Sequence, residues 1–537
     1  MDAGLSHDTI GAMLALFVAV PLLAAGLLVI FRKVFWLQTV VLFTVLGASL
    51  AGAIVLIAEL AGGEVIAHGV GDFAFGVAIP FAADMFTALM LTTTAILALL
   101  SAWFAAASGY LREPFFAPMV LVLMTGVYGA LLTADAFNFF VFIEVMLLPS
   151  YGLYATTIHR RGGDLMLGGM RLYIAANLLA STTLLAGVGL VYATAGTVNL
   201  GQLAGAASED PMVAIAMSIV LLAMLTKAAV VPVHSWLART YAYTSPAMTA
   251  LISGLHTKVA VYAIYRFYAV VFDGDTRFLW ILVALFTATM LIGVLGAVGE
   301  KTTRSILVFH MISQLGYILM GVALFTELGL TAGIFYLVHH MLVKASLFLS
   351  TGAVEVKYGT GELDKVTDIA RREPLIAVSF FAAALSLAGI PPFSGFVAKF
   401  SLMLGTFEAG RYIALAVMVI VSLITLLSML KIWNGMFWGD PKTPAPDPAA
   451  GQDPDGEGAT LGGGVALVTR TEETRTEEAT STVPRRRISL WLAAPAAILA
   501  LLTLAIGLGG EVLLGWAETA AHGLMDTTGY VEAVSNS

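Results

Sequence analysis

FNFFVFIEVMLLPSYGL, residues 137–153, holds one charged side chain, Glu144, in an otherwise apolar run. A helix of about 20 apolar residues crosses the roughly 30 Å of hydrocarbon in a bilayer. Similar apolar runs recur from one end of the chain to the other. The stretch therefore predicts one membrane-spanning helix of a series, and a carboxylate at such depth is a candidate functional group.

The composition agrees with a membrane protein. Of 537 residues, 59% are hydrophobic and 12% are charged, whereas a soluble domain has roughly 25% charged residues. The chain has no cysteine, which excludes disulfides, thiolate zinc sites and cysteine-ligated iron–sulfur clusters. We therefore expect no cofactor and no metal, and the net charge of -8 offers no basic surface for nucleic acid.

Apolar runs bounded by charged residues, Gly or Pro predict an all-α, polytopic membrane protein with about fourteen transmembrane helices. The runs are too long and too uniformly apolar for the strands of a membrane barrel. The predicted spans are 10–31, 34–59, 81–107, 115–133, 136–158, 166–194, 211–232, 245–271, 277–298, 304–325, 330–354, 374–406, 411–437 and 488–514.

Basic residues alternate between the loops on the two sides of these spans. The opposite loops are mainly acidic, so the positive-inside rule predicts that both termini lie outside the cytoplasm of a bacterial inner membrane. The basic loops hold Arg32, Lys33, Arg112, Arg160, Arg161, Arg239, Lys301, Arg304, Lys357, Lys365, Arg371, Arg372, Arg485, Arg486 and Arg487.

Two predicted helices are interrupted at corresponding places. Helix 7 contains Pro232 and helix 12 contains Pro391 and Pro392, and proline breaks the helical hydrogen-bond ladder. Paired broken helices indicate a transport site between two inverted repeats. The predicted segments are N-terminal helices 1–3 at 1–110, a first repeat of helices 4–8 at 111–272, an inverted second repeat of helices 9–13 at 273–438, a disordered cytoplasmic loop at 439–487, and helix 14 with an external tail at 488–537.

Five charged side chains lie inside predicted helices with apolar neighbours on both sides. A charge at the bilayer centre costs at least about 2.5–3.5 kcal/mol on insertion scales, so these residues predict ion or proton translocation. A lone lysine could instead form a structural ion pair or anchor a helix at the lipid surface. The five residues are Glu144, Lys227, Lys258, Lys344 and Lys399.

Glu144 and Lys227 lie at different depths, but a helical side chain leans toward the N-terminus of its own helix. This brings the lysine stem toward the carboxylate and makes an ion pair feasible. Because a carboxylate opposes the loss of a lysine proton, making and breaking this pair would gate proton movement.

Histidines provide further candidate groups for proton transfer. His340 and Lys344 are four residues apart and share one face of helix 11, whereas His256 and Lys258 are two apart and point to different sides. Each histidine could equally be a satisfied residue of the helix bundle. The remaining candidates are His234, His310 and His339.

The chain resembles the antiporter-like family shared by the large membrane subunits of respiratory complex I and the Mrp multisubunit cation/proton antiporters. The resemblance covers nearly the whole chain, and it implies two inverted five-helix repeats and a chain of buried charges that links two half-channels. The motifs that carry it are 137–154, LTKAAVVPVHSWL at 225–237, TSPAMTALISGLHTKVAVYAIYR at 244–266, TRSILVFHMISQLGYILMG at 303–321, HHMLVKASLFLSTG at 339–352 and GIPPFSGFVAKF at 389–400.

Matched position by position, the family's charged residues on helices 5, 7, 8 and 12 would be Glu144, Lys227, Lys258 and Lys399. The length and the lack of a long lateral C-terminal helix make the chain most similar to the Mrp branch. The resemblance thus implies a secondary ion transporter subunit rather than an enzyme, with other Mrp antiporter subunits as partners and H⁺ and Na⁺ or K⁺ as transported ions. Two alternatives stay open: a proton-pumping module of NADH:quinone oxidoreductase, and an assembly scaffold whose buried charges merely pair.

Overall fold

The structure is a computed structural model that describes residues 7–71, 73, 78–161, 164–363, 365–440 and 487–536. Apart from one β-hairpin and short turns, these residues form helices. In chain order the helices are α1 His7–Leu14, α2 Leu16–Ile30, α3 Phe35–Glu59, α4 Met85–Ala107, α5 Phe116–Leu132, α6 Ala136–Arg161, α7 Asp164–Ala195, α8 Ala206–Glu209, α9 Pro211–Lys227, α10 Ser235–Tyr241, α11 Pro246–Val271, α12 Leu279–Gly299, α13 Thr303–Leu324, α14 Glu327–Tyr358, α15 Ile369–Arg372, α16 Pro374–Ala388, α17 Ser394–Glu408, α18 Tyr412–Ile432, α19 Leu490–Leu508, α20 Gly510–Met525 and α21 Thr528–Ser535.

Among the described residues, eleven helical segments are long and apolar enough to cross a membrane, and α5, α9 and α16 are shorter apolar helices. The hydrophobic windows of α11 and α14 are completely buried, whereas only 33% of the windows of α12 and α18 is buried. α11 and α14 therefore form the centre of the bundle, and α12 and α18 present apolar side chains outward. The prediction of a polytopic helical membrane protein is confirmed, while the count of fourteen crossings and the inverted repeats stay predictions.

Both predicted helix breaks are present. The first separates α9 from α10, and the second separates α16 from α17. Pro232 and Pro392, each preceded by a cis peptide bond, lie in the connecting segments. The predicted spans 211–232 and 374–406 are therefore each two half-helices, and the first half-helix ends ahead of its proline because proline cannot continue the hydrogen-bond ladder.

The last predicted span, 488–514, is also interrupted and extends further than expected. α19 ends at Leu508, and α20 begins at Gly510 and continues to Met525. Consecutive glycines favour such a break because they lack a Cβ that would restrain the backbone. A Cβ on Gly507 would collide with the backbone of Pro392, so this break lies against the break between α16 and α17.

A β-hairpin replaces the beginning of the predicted helix 81–107. Its strands, β1 Ile66–Val70 and β2 Ile79–Ala83, are antiparallel. Asp84 follows β2 and accepts a hydrogen bond from the backbone N–H of Thr87 at 2.9 Å, so it caps the start of α4. Because the strand IPFAA is as apolar as the helix that follows it, hydropathy does not separate the two. The predicted helix 81–107 therefore begins too early.

The loops rich in lysine and arginine meet at one end of the bundle. Backbone pairing joins Thr302 to Glu362, and the backbone N–H of Ile488 donates to the Glu373 carboxylate at 2.9 Å. We call this the basic end. The basic residues of these loops are Lys301, Arg304, Lys357, Lys365, Arg371, Arg372 and Arg487.

The acidic loops meet at the opposite end, where α13 ends and α14 begins. Asn199 pairs with Asp135, and Arg277 donates to the carbonyl oxygen of Ser208 at 3.3 Å. We call this the acidic end. Its carboxylates are Asp135, Glu209, Asp210, Asp273, Asp275, Glu327 and Glu408. Most of the predicted cytoplasmic loop 439–487 lies outside the described residues, so its predicted disorder is untested.

Candidate functional site

The four predicted lysines lie in the interior of the bundle, and each is at most 4% exposed. They lie on α9, α11, α14 and α17. Their hydrogen-bond acceptors are neutral oxygens, which can bond an amine and an ammonium group alike. The lysine Nζ contacts are Lys227 to Asn177 Oδ1 at 3.2 Å, Lys258 to Ser253 O at 2.9 Å and Thr257 Oγ1 at 3.1 Å, Lys344 to Leu307 O at 2.8 Å, and Lys399 to Ala388 O at 3.1 Å.

Glu144 is half-buried on α6, and its carboxylate acts electrostatically on Lys227. The buried ion pairs of the described residues are Arg266–Asp84 and Arg304–Glu355, so the predicted Glu144–Lys227 pair is not closed in this conformation. The carboxylate is thus near enough to influence the lysine proton without immobilising it.

α7 supplies two contacts that sequence analysis missed. Asn177 bonds Lys227, and one turn earlier the Tyr173 hydroxyl lies 2.9 Å from His256 Nδ1 and 3.0 Å from Ser150 Oγ. Asn177 Nδ2 also donates to the Tyr173 carbonyl oxygen at 2.9 Å. Polar residues in the apolar span 166–194 were the available signal. Side chains one turn apart on α7 therefore hold one predicted lysine and one predicted histidine.

Lys258, His340 and Lys344 form a group between α11 and α14, in which each charge acts on its neighbours. His256, two residues before Lys258, contacts Tyr173 on α7 instead, and the charge of Lys227 acts on it. The predicted difference in direction between His256 and Lys258 is therefore present. So is the predicted sharing of one face by His340 and Lys344.

His310 on α13 is buried, and the charges of both Lys344 and Lys399 act on it. In the described part of the chain, neither ring nitrogen of His310 has a hydrogen-bond partner, and the same is true of His340. Buried polar atoms are normally satisfied by protein or ordered water. The ring nitrogens of these two imidazoles are therefore available to bond a further polar group inside the bundle.

Lys399 and His339 form the last group. The charge of Lys399 acts electrostatically on His339. The Nδ1 atom of His339 lies 2.8 Å from Ser394 Oγ at the start of α17. The ammonium of Lys399 is 5.3 Å from the ring centre of Tyr317, within the range of a cation–π contact.

Two lysines lie at C-terminal ends of half-helices. Lys227 is the last residue of α9, and Lys399 reaches across the second break to the carbonyl oxygen of Ala388, the last residue of α16. The C-terminus of a helix carries a partial negative charge that favours a cation. The second break therefore supplies a carbonyl acceptor for Lys399 inside the bundle, whereas the acceptor of Lys227 is the side chain of Asn177 on α7.

His234 is separate from this series. It is half-buried at the break between α9 and α10, and the adjacent Pro232 is exposed. Pro391 and Pro392 are exposed as well. The prolines thus shape the backbone at the surface of the bundle, while the four lysines lie further inside.

Two buried ion pairs were not predicted as a site. Arg266 donates to Asp84 at 2.7 Å and stacks 4.5 Å from the ring centre of Tyr530. At the basic end, Arg304 bonds both Glu355 and the carbonyl oxygen of Thr244. Because Asp84, Arg304 and Glu355 fall near predicted span ends, hydropathy gave no reason to expect them inside the protein.

The structure offers one group of ligand-type side chains in its described ranges that could hold a metal ion. Glu327, Glu518 and His522 are all exposed at the acidic end. The lysine series itself contains no such cluster of ligands within those ranges. Its amines and imidazoles can bind and release protons, and the carboxylate of Glu144 acts on Lys227.

Comparisons with known proteins identify the family to which the chain is related. A family model described as NADH:quinone oxidoreductase/Mrp antiporter, TM, matches residues 133–425. A protein from Alkalihalophilus pseudofirmus, named as the D subunit of a Na⁺/H⁺ antiporter, is 36% identical over 432 residues, which are 79% of this chain and 87% of that protein. The Bacillus subtilis protein of the same name is 32% identical over 525 residues, 96% of this chain and 98% of its own length.

A chain in the structure of the Mrp complex from a Dietzia species has a TM-score of 0.91 and 56% sequence identity, and the match covers 98% of this chain and 100% of that chain. The matched family segment 133–425 includes every predicted lysine, and Glu144. The chain therefore belongs to the NADH:quinone oxidoreductase/Mrp antiporter transmembrane family.

Proposed function

We propose that this chain is the D-type, proton-translocating subunit of an Mrp antiporter. In this proposal the proton-motive force drives protons through the subunit, and the hetero-oligomer couples that flow to extrusion of Na⁺ or K⁺. The relatives named as D subunits of Na⁺/H⁺ antiporters and the Mrp complex chain support the assignment.

The observation that carries the proposal is the order of the buried groups. From α9 to α17 the lysines alternate with imidazoles, and each lysine bonds a neutral oxygen rather than a carboxylate. A charge kept in a permanent ion pair would hold its proton. The proposed proton route comprises Glu144, Lys227, His256, Lys258, His340, Lys344, His310, Lys399 and His339.

The proposal includes a topology with fourteen crossings. The pairs α1–α2, α9–α10, α16–α17 and α19–α20 would each cross once, as would the single long helices between them. Segments 111–272 and 273–438 would be the inverted repeats, and each contains one broken helix. By the positive-inside rule the basic end would face the cytoplasm of a bacterial cell, with both termini outside.

Alanine substitution of Lys227 or Glu144 tests the proton route. We expect Lys227→Ala and Glu144→Ala to abolish Na⁺-dependent dissipation of the pH gradient in everted vesicles, because each removes a group that proton transfer requires. Assembly of the complex should be unchanged. The matched control is Lys365→Ala, since Lys365 is 57% exposed in a surface ion pair. Normal antiport by the Lys227→Ala complex would refute the proposal.

The complex I alternative makes a different prediction about partners. A proton-pumping module of NADH:quinone oxidoreductase would co-purify with flavin and iron–sulfur subunits, whereas an antiporter subunit would co-purify with small hydrophobic subunits. The curated relatives described above are named as antiporter subunits, which favours the antiporter.

A further inference from the structure

A cavity opens at the acidic end between the start of α14, the end of α17 and α20. Its volume is about 650 Å³. Among the described residues that line it are three exposed carboxylates, Glu327, Glu408 and Glu518, and no lysine or arginine. The cavity therefore concentrates negative charge at one opening of the bundle.

Thr331 forms part of the cavity wall, one helical turn below Glu327 on α14. It is 8% exposed, and its Oγ1 has no hydrogen-bond partner in the part of the chain that the structure describes. A buried hydroxyl without a partner costs free energy. This oxygen is therefore free to bond a ligand that enters beneath the carboxylates.

α17 connects the cavity to the last group of the proposed proton route. Ser394, Ser401 and Glu408 are spaced by seven residues, or about two turns, so they share one face of the helix. Ser401 and Glu408 line the cavity, and Ser394 contacts His339 beside Lys399. The cavity thus lies about 10 Å along α17 from that group.

Carboxylate and hydroxyl oxygens are hard donors that suit alkali and alkaline-earth cations. A tight Ca²⁺ site needs six to eight closely arranged oxygens. Here the ligand atoms of Glu327, Glu518 and His522 lie within 4.8 Å of one another. The side-chain oxygens of Ser401 and Glu408 in the cavity wall come from a further helix, so the cavity supplies fewer closely arranged oxygens than such a site needs. Weak binding of an abundant monovalent ion is the better match. His522 contacts Glu327 at 3.3 Å and borders this carboxylate on α20.

We propose that this cavity binds a monovalent metal cation, and that a cation there and a proton on the Lys399–His339 group disfavour each other. The mutual effect follows from Coulomb repulsion across a poorly solvated region. The cation site is inferred from the cavity alone. Only its effect on the proton rests on the proposed function.

Cysteine protection tests cation binding without measuring transport. This chain has no cysteine, so a single Ser401→Cys in the purified whole complex reports on the cavity when labelling is read on this subunit. We expect sodium chloride to slow labelling by a cationic thiol reagent severalfold relative to choline chloride at equal ionic strength. Glu327→Gln together with Glu408→Gln should remove this protection. Ser208→Cys, exposed elsewhere at the acidic end, should label equally in both salts.

Equal labelling of Ser401→Cys in sodium and choline would overturn the proposal. So would protection by Ca²⁺ or Mg²⁺ alone. In transport, Thr331→Val should raise the Na⁺ concentration needed for half-maximal antiport. Normal antiport by the Lys227→Ala complex would refute the proposed proton route but would not affect the labelling result. The two proposals can therefore be refuted independently.

Discussion

The ammonium of Lys227 lies 3.2 Å from the amide oxygen of Asn177, while the nearby carboxylate of Glu144 acts on it only through space. A neutral acceptor thus occupies the place where a buried lysine would ordinarily have a counter-ion. Because an amide oxygen accepts a hydrogen bond from an amine or an ammonium group, Lys227 stays hydrogen-bonded to α7 in both of its protonation states.

Asn177→Asp should slow antiport by at least about tenfold, which corresponds to about 1.4 kcal/mol in the barrier. The new carboxylate would form a buried ion pair with Lys227 and hold its proton. Rates in everted vesicles, normalised to assembled complex, measure the effect. The control is Gln202→Glu, which adds a carboxylate at an exposed position. An unaltered rate for Asn177→Asp would show that Lys227 need not release its proton.

Lys258→Arg separates a proton relay from a charged scaffold. Arginine keeps the positive charge but stays protonated in proteins, so we expect assembly to persist and antiport to be lost. The surface substitution Lys365→Arg should change neither. If Lys258→Arg transported normally, the scaffold alternative would be favoured instead.

Gly395→Ala should separate the two half-helices at the second break. A Cβ at this position would collide with the carbonyl oxygen of Ser386 on α16, so α17 would have to move and Lys399 would lose Ala388. We expect less assembled subunit and little antiport, measured by immunoblot and vesicle assay. Gly515→Ala is the control, because no atom lies within 4 Å of its added Cβ and alanine stabilises a helix by roughly 0.5–1 kcal/mol. Equal behaviour of the two variants would contradict this explanation.

Asp84→Asn should lower stability by about 3–5 kcal/mol, since it leaves the buried charge of Arg266 uncompensated. Both side chains are at most 6% exposed. Thermal unfolding of the purified complex measures the loss, and Asp84→Leu combined with Arg266→Met should recover much of it. Arg277→Met, which breaks an ion pair whose arginine is 57% exposed, should have little effect. A small loss for Asp84→Asn would mean that Tyr530 suffices to hold the arginine.

Hydropathy and local signals predicted most helices because their boundaries are marked in the sequence. α11 begins at Pro246, and the preceding Ser245 caps it by accepting a hydrogen bond from the backbone N–H of Met248. The predicted span began at 245. α9, by contrast, ends at Lys227, and the residues between Lys227 and Pro232 are all Ala or Val. Hydropathy cannot detect a helix terminus that apolar residues follow, so the predicted span continued to 232.

The charged members of the candidate site were predictable for the same reason. Glu144 and the lysines are charged residues among apolar neighbours. Burying a charge in the membrane costs free energy, so such residues are functional candidates. Their partners were not predictable: Asn177, Tyr173 and Ser394 acquire their roles only when separate helices come together. A single sequence gives the spacing within a helix but not the neighbour across an interface.

The contact between Lys399 and Ala388 makes the second break responsive to charge. An ammonium donates a hydrogen bond roughly twice as strong as a neutral amine does. In the proposed proton route, loss of a proton from Lys399 would weaken its hydrogen bond to Ala388 across the break between α16 and α17, and gain of a proton would strengthen it. The spacing of the two half-helices would then depend on the protonation state of Lys399, and α19 and α20 would follow any movement there because their own interruption packs against this break at Gly507.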